Sequence, residues 1–252
     1  MAYNIINEFC SVKNVGGAHK NGSNPSNRFN WLVNYCENNN INYEIDVFQN
    51  ERFPENNFYN LILKGTSDKM VVAHHDIVNP NSDNANDNSA SVINALNIKQ
   101  LNPSVNVVIL DGEEPPMMGV GSQRCSDLIN EGYFGNISWV LNLELTGKGG
   151  EYFFIGNYPG KLTDHILELF PGTPIIDTPF NDSVIFNKNG IDSVVINPLP
   201  PVDRETSIQA PDGKYLDFSL LFNCHSMRDS LDTISPDDMK AFVEKVVLKI
   251  IN

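Results

Sequence analysis

Basic residues are scarce in this sequence: Lys and Arg number 17 against 31 Asp and Glu, for a formal net charge of −14. A nucleic-acid partner, which selects for basic patches, is therefore not expected. Acidity on this scale favours amine-bearing ligands through its long-range field, although solubility is its commoner purpose. Long apolar runs are missing too. No stretch approaches the ~20 residues of a membrane-spanning helix, so no membrane partner is expected. Residues 1–22 lack the basic start and apolar block of a secretory leader. Cysteine is sparse: Cys10, Cys36, Cys125 and Cys224 show no paired spacing, which excludes a thiolate–zinc cluster and a disulfide framework. The cysteine pattern fits a reducing setting, so the expected location is cytoplasmic, with secretion expected only if a leader has been removed. What remains is enough apolar material, 41% of 252 residues, for one α/β domain over residues 1–252.

The chain is organised around residues 71–95, VVAHHDIVNPNSDNANDNSASVINA. A short apolar run stops at His74-His75-Asp76, an Asn-rich loop follows, and a helical pattern opens at Asp87. Apolar runs of this length suit buried strands of an α/β sheet, where ligands gather at the carboxyl ends. Ahead of it, residues 3–12 and 29–37 have helical spacing, and 43–48, 59–64 and 70–74 read as strands. A helix is expected over 87–96, with Asp87 at or just before its start.

Residues 105–110 (VNVVIL) form a second buried strand, ending in Asp111-Gly112-Glu113-Glu114. Alone, those carboxylates read as a solvated acidic turn. Helix 119–130 follows. Strand 137–143 again ends in a carboxylate, Glu144, and 151–155 is expected as its hairpin partner. Helices over 162–170 and 182–187 precede the last clear strand, 192–196. Residues 198–213, rich in proline, form a long loop. An apolar run at 220–224 leads to His225. A terminal helix over 239–250 is announced by Ser235 as N-cap, Pro236 at N1 and acids in the first turn. There is no repeat and no second-domain linker.

Strand ends thus carry His74, Glu113/Glu114 and Glu144, a helix start carries Asp87, and His225 follows an apolar run. Independent surface residues would not fall so regularly at one kind of position, which points to a shared metal site. Imidazole and carboxylate oxygen are what a zinc-type ion takes. The ordered pieces are Ala73-His74-His75-Asp76, Ala85-Asn86-Asp87-Asn88-Ser89-Ala90-Ser91, Asp111-Gly112-Glu113-Glu114 with Gly121-Ser122, Asn142-Leu143-Glu144 and His225-Ser226-Met227-Arg228-Asp229-Ser230. Together they resemble the co-catalytic di-zinc aminopeptidases, whose relatives include glutamate carboxypeptidases and glutaminyl cyclases. The resemblance runs from about residue 71 to the C-terminus. It implies a three-layer α/β/α sandwich around a central mixed, mostly parallel sheet.

The resemblance also implies roles. His74 and Glu144 would hold one zinc ion, Glu114 and His225 the other, and Asp87 would bridge both. Asp76, on the same side of the strand as His74, would hold its imidazole, while His75 points away. Glu113 would be the general base, moving a proton from a zinc-bridging water to the leaving amine. The expected enzyme is a zinc-dependent exopeptidase, most simply an aminopeptidase, acting as a monomer on peptides or aminoacyl compounds. Departures from the family pattern are Glu144 in place of Asp, Pro115-Pro116-Met117-Met118 after Glu114, and Asn181-Asp182-Ser183 in place of Ser-Asp-His. Met117, Met118, Asp182, Arg204 and Tyr215 are the expected substrate contacts, Arg204 as a partner for a substrate carboxylate. Two alternatives stand beside the peptidase. One is a glutaminyl-cyclase-like acyltransferase with one zinc on Asp87, Glu114 and His225, forming N-terminal pyroglutamate. The other is a zinc-binding module without turnover.

Overall fold

The computed structural model describes residues 3–13, 24–200, 203 and 223–252. Among them, strands β1 (Glu44–Asn50), β2 (Phe53–Leu63), β3 (Lys69–His74), β4 (Asn106–Leu110), β5 (Trp139–Leu143), β6 (Phe153–Gly156), β7 (Ile175–Ile176) and β8 (Ser193–Pro198) make one sheet. Its order is β1-β2-β4-β3-β5-β8-β6-β7. The centre, β4-β3-β5-β8, is parallel, while β1 and β2 are antiparallel additions at one side. This is the expected mixed, mostly parallel sheet.

Residues on the central strands alternate between two cores, as a period of two requires. Val71 and Ala73 of β3, Val107 and Ile109 of β4, and Leu141 and Leu143 of β5 face the larger core. Met70, Val72, Val108, Leu110 and Val140 face the smaller one. Helices α1 (Ile5–Ser11), α2 (Asn27–Asn38), α3 (Ala90–Leu101) and α5 (Lys161–Leu169) cover the first face with the terminal helix. That helix starts as α7 (Pro236–Phe242) and continues through a wider turn, Val243–Val247, into α8 (Leu248–Ile251). Helices α4 (Val120–Asn130) and α6 (Asp182–Lys188) cover the second face. The three-layer sandwich follows.

Chain order explains where a site can form. From β3 the chain crosses through α3 on one face to β4, then back through α4 on the other face to β5. Strand β3 therefore lies between two oppositely directed crossovers, the switch point at which open α/β sheets leave a crevice. Helix α3 is buried from Ala90 through Lys99 because it packs on β3 and β4 while α1 and α7 cover it. Its surroundings, not an amphipathic stripe, hold it in place.

Several boundaries depart from the sequence-based expectation. The helix after the Asn-rich loop begins at Ala90 instead of Asp87: Asp87 (φ −110°, ψ 90°) and Asn88 (φ −129°, ψ 34°) leave helical geometry. Residues 151–155 do not form a hairpin with β5. Both edges of β5 are taken by β3 and β8, so β6 pairs antiparallel with the far side of β8. Strand β7, two residues long, carries too short a pattern to be read from sequence. Ser235 does cap α7, accepting the Asp238 N–H. Most of the loop at 198–213 and of the run at 220–224 lies outside the described residues.

Leu96 is fully buried in α3 at the centre of the larger core. Leu96→Ala is expected to lower the unfolding free energy by about 2–5 kcal/mol in urea melts. A loss below about 1 kcal/mol would mean that α3 is not the central packing element.

Candidate metal centre

The carboxyl ends of β3, β4 and β5 converge on one crevice. His74 is the last residue of β3 and is fully buried. Just past β4, Gly112 adopts φ 70°, a left-handed turn that suits glycine and redirects the chain into Glu113 and Glu114. The first turn of α4 sits on this loop: a Cβ at Gly121 would meet the Asp111 carbonyl oxygen at 2.2 Å. Only glycine lets the helix come so near. Glu144 follows directly on β5.

Two carboxylates hold the surrounding loops through backbone amides. Asp76 accepts the N–H of Glu113 at 3.2 Å and of Glu114 at 2.9 Å, while its Oδ1 lies 3.3 Å from His74 Nδ1. It therefore orients the imidazole and pins the acidic loop of the neighbouring strand. Asp229 accepts the N–H of Asn86 at 2.8 Å and of Asp87 at 3.0 Å. That fixes Asp87 against the segment carrying His225, whose backbone takes φ 59°.

Asp87 stands between two imidazoles. Its Oδ1 is 3.5 Å from His74 Nε2, and its Oδ2 is 3.2 Å from His225 Nε2. His74 Nε2 also lies 3.2 Å from Glu144 Oε1 and 3.8 Å from Glu113 Oε2. His225 Nε2 is 2.9 Å from Glu114 Oε2. Ligand atoms group within 4.8 Å as His74–Asp87–Glu144, as Asp87–Glu114–His225 and as His74–Glu113–Glu114. Glu114 Oε1 and Glu144 Oε2 are buried without a hydrogen-bond partner. Imidazole and carboxylate donors, with carboxylate oxygens left over, fit zinc.

The remaining expected residues divide. Met118 lines the crevice, a cavity of about 370 Å³, together with Pro115, Leu145, Phe180, Cys224 and the acidic residues. Met117, expected beside it, instead packs in a small core with Phe58 and Val120, while the chain turns left-handed at Met118 (φ 52°). Asp182 opens α6 and is fully buried beneath the site, without lining the cavity. Arg204 and Tyr215 lie outside the described residues. His75 turns away, as expected, with Nε2 3.1 Å from the Tyr59 carbonyl and its ring against Phe29. Sequence reasoning gave Asp229 no role, and no local pattern marks a carboxylate that acts on amides more than 140 positions away.

Electrostatics follow from burying so many acids together. Burial pushes Glu114 up to about 8; Asp87 adds to this and His225 opposes it. Burial also raises Glu113 well above the usual range, helped by Glu144 and Asp182 against the pull of His74. For His74, burial would lower the pKa, but Glu144 and Glu113 outweigh it and raise it well above the usual imidazole value. His225 is raised to about 10 by its contacts with Asp87 and Glu114. Asp76 goes the other way: burial opposes ionisation, yet His74 and the Glu114 amide draw it down to about 2.

The fold is an α/β sandwich with its crevice at the ends of parallel strands. The chain belongs to peptidase family M28, whose model matches residues 60–250. The family is one of peptidases. Among solved structures it resembles the LapA aminopeptidase of Legionella pneumophila at a TM-score of 0.69 and 13% identity, covering 99% of this chain and 68% of that one. BSAP, a zinc aminopeptidase from Bacillus subtilis, gives 0.57 and 19%, over 78% of this chain. The present chain spans 49% of BSAP's length. Porphyromonas gingivalis glutaminyl cyclase gives 0.70 and 17%, covering 99% of this chain and 96% of that one. At such identities these likenesses concern the fold. No curated protein sequence matches significantly.

The pKa shifts predict how the metal-free protein responds to pH. His225 is raised from 6.5 to about 10, so its ion pairing supports the fold fully below about pH 6.5, and that support is lost as pH rises through 10. Glu114 is raised from 4.5 to about 8, so holding it in place costs increasing stability from about pH 4.5 to 8. Both act in one direction. In chelator, Tm is expected to fall between about pH 6.5 and 9, while zinc affinity rises over the same interval because the ion displaces those protons. A Tm that is flat or rising in chelator across this window would contradict the assignment.

Proposed function

We propose that the chain is a zinc aminopeptidase whose site takes two ions, one on His74 and Glu144, the other on Glu114 and His225, with Asp87 common to both. The observation that carries this reading is the placement of the Asp87 oxygens, one toward each imidazole. A carboxylate so disposed suits bridging, and each grouping leaves room for a further ligand, as catalytic sites require. Bound zinc would supply Lewis acidity, polarising the scissile carbonyl and making water a better nucleophile.

The chain's own residues do the rest. Glu113 lies beside the ligand Glu114 and 3.8 Å from His74, at the cavity wall. Its place at the cavity wall beside Glu114 suits a general base that takes a proton from the attacking water and returns it to the leaving amine. Asp76 orients His74 and, through the Glu113 and Glu114 amides, keeps the base beside its neighbouring ligand. The acidic floor favours the free amine of a peptide N-terminus, while Met118, Leu145 and Phe180 offer an apolar wall to its side chain. Asp182 acts from below through its charge on Glu113. Peptide or aminoacyl substrates are the class proposed.

One observation favours a second reading, the cyclase. The fold superposes on the P. gingivalis glutaminyl cyclase at a TM-score of 0.70, as well as it does on the LapA aminopeptidase at 0.69, so the same scaffold suits that chemistry too. In that case a single zinc on Asp87, Glu114 and His225 would suffice.

Native mass spectrometry in slight zinc excess separates the two: two tightly held ions support the peptidase, one supports the cyclase. Glu113→Gln is expected to retain its zinc while losing turnover on aminoacyl amides by about 10²–10⁴-fold. Full activity in that variant would remove Glu113 from the mechanism. Ammonia release from Gln-peptides without cleavage would replace the peptidase with the cyclase.

A further inference from the structure

Arg28 belongs to α2, ahead of the residues that match the family model, and nothing in its local sequence marks it. It is only 1% exposed. A buried guanidinium is costly unless its donors are met. Here Nε donates to the His75 carbonyl at 2.9 Å and Nη2 donates to Ser89 Oγ at 2.9 Å. The guanidinium carbon sits 4.0 Å above the centre of the Phe9 ring. Ser89 Oγ in turn donates to the Asn84 carbonyl at 2.6 Å, which leaves its lone pairs free to face Arg28.

The two acceptors are telling. His75 lies between His74 and Asp76 at the end of β3, and Ser89 lies two residues after Asp87, just before α3. One rigid fork thus joins the strand end that carries one imidazole to the turn that carries the shared carboxylate. Asp76, Asp229 and Asp87 are carboxylates close enough for their charge to act on it, beside the Cys10 thiol. Arg28 touches none of the ligand atoms among the described contacts.

We propose that Arg28 is a positioning residue for the metal centre: its planar fork fixes the spacing between His74 and Asp87 through the His75 carbonyl and Ser89 Oγ. The inference rests on the metal-site reading above. It assigns to the N-terminal helices, and to their Arg28–Phe9 stack, part of the geometry that the matched residues 60–250 do not contain by themselves. Lysine keeps the charge, but its single nitrogen cannot reach both acceptors as the fork does. Methionine keeps most of the stem and loses charge and fork together.

The test is cobalt(II) titration of the full chain, following affinity and the visible absorption band that reports ligand geometry, with the Tm of the metal-free protein measured alongside. Arg28→Lys and Arg28→Met are each expected to lose about 10–100-fold in cobalt affinity and to shift the band. Ser89→Ala is expected to lose less, and to cost less in the Arg28→Met background than in the wild type, only its bond to the Asn84 carbonyl being left to lose. Variants that melt lower yet keep wild-type affinity and band would reduce Arg28 to packing and overturn the proposal. So would full rescue by lysine, which would make charge the operative property. If Arg28→Met does not fold, Arg28→Lys and Ser89→Ala decide the matter. Wild-type protein that binds no cobalt would instead overturn the metal-site reading itself, a result that needs no variant.

Discussion

Carboxylates repel one another, and repel more strongly when water is withdrawn; the centre of this molecule gathers Asp76, Asp87, Glu114, Glu144 and Asp182 at or below the protein surface. Such a cluster survives only where each charge is answered. Asp76 and Asp229 are answered by pairs of backbone amides. Asp87 is answered by two imidazoles. Glu114 and Glu144 retain buried oxygens that no protein group meets. That residual demand for positive charge is what a divalent ion satisfies.

The sheet supplies the place. Parallel strands β3, β4 and β5 end at one level, and the crossovers through α3 and α4 leave in opposite directions, so loops from adjacent strands meet over a crevice and not over a helix. Close approach at Gly121 and the left-handed turn at Gly112 bring the acidic loop down onto β3. A buried α3 and a buried Arg28 brace the same point from behind. The rigidity of the acidic crevice is thus drawn from both cores.

Charge and greasiness are segregated within the crevice. Acids line its floor, and Met118 and Phe180 stand at its rim, the latter 76% exposed. A ligand with an amine at one end and an apolar group beside it matches this division better than an anion does. The acidity of the whole chain, −14, works in the same sense by steering cations toward the surface.

Sequence by itself determined the buried central strands and the imidazole and carboxylate residues at their ends, and the family resemblance added the mostly parallel order of the sheet. His74, Glu113, Glu114 and Glu144 were legible because they sit where apolar runs stop, and strand ends in such sheets share one edge. The capping of α7 by Ser235 was legible for the same reason: its physics is local. Tertiary structure alone decided that Met118 faces the cavity while Met117 joins Phe58, that β6 lies beyond β8, that Asp229 grips the Asp87 turn, and that Arg28 reaches the His75 carbonyl and Ser89. Each of these depends on a partner brought near by the completed fold. Period and punctuation in a sequence encode which face or end a residue occupies, but not which distant backbone atom it will meet there.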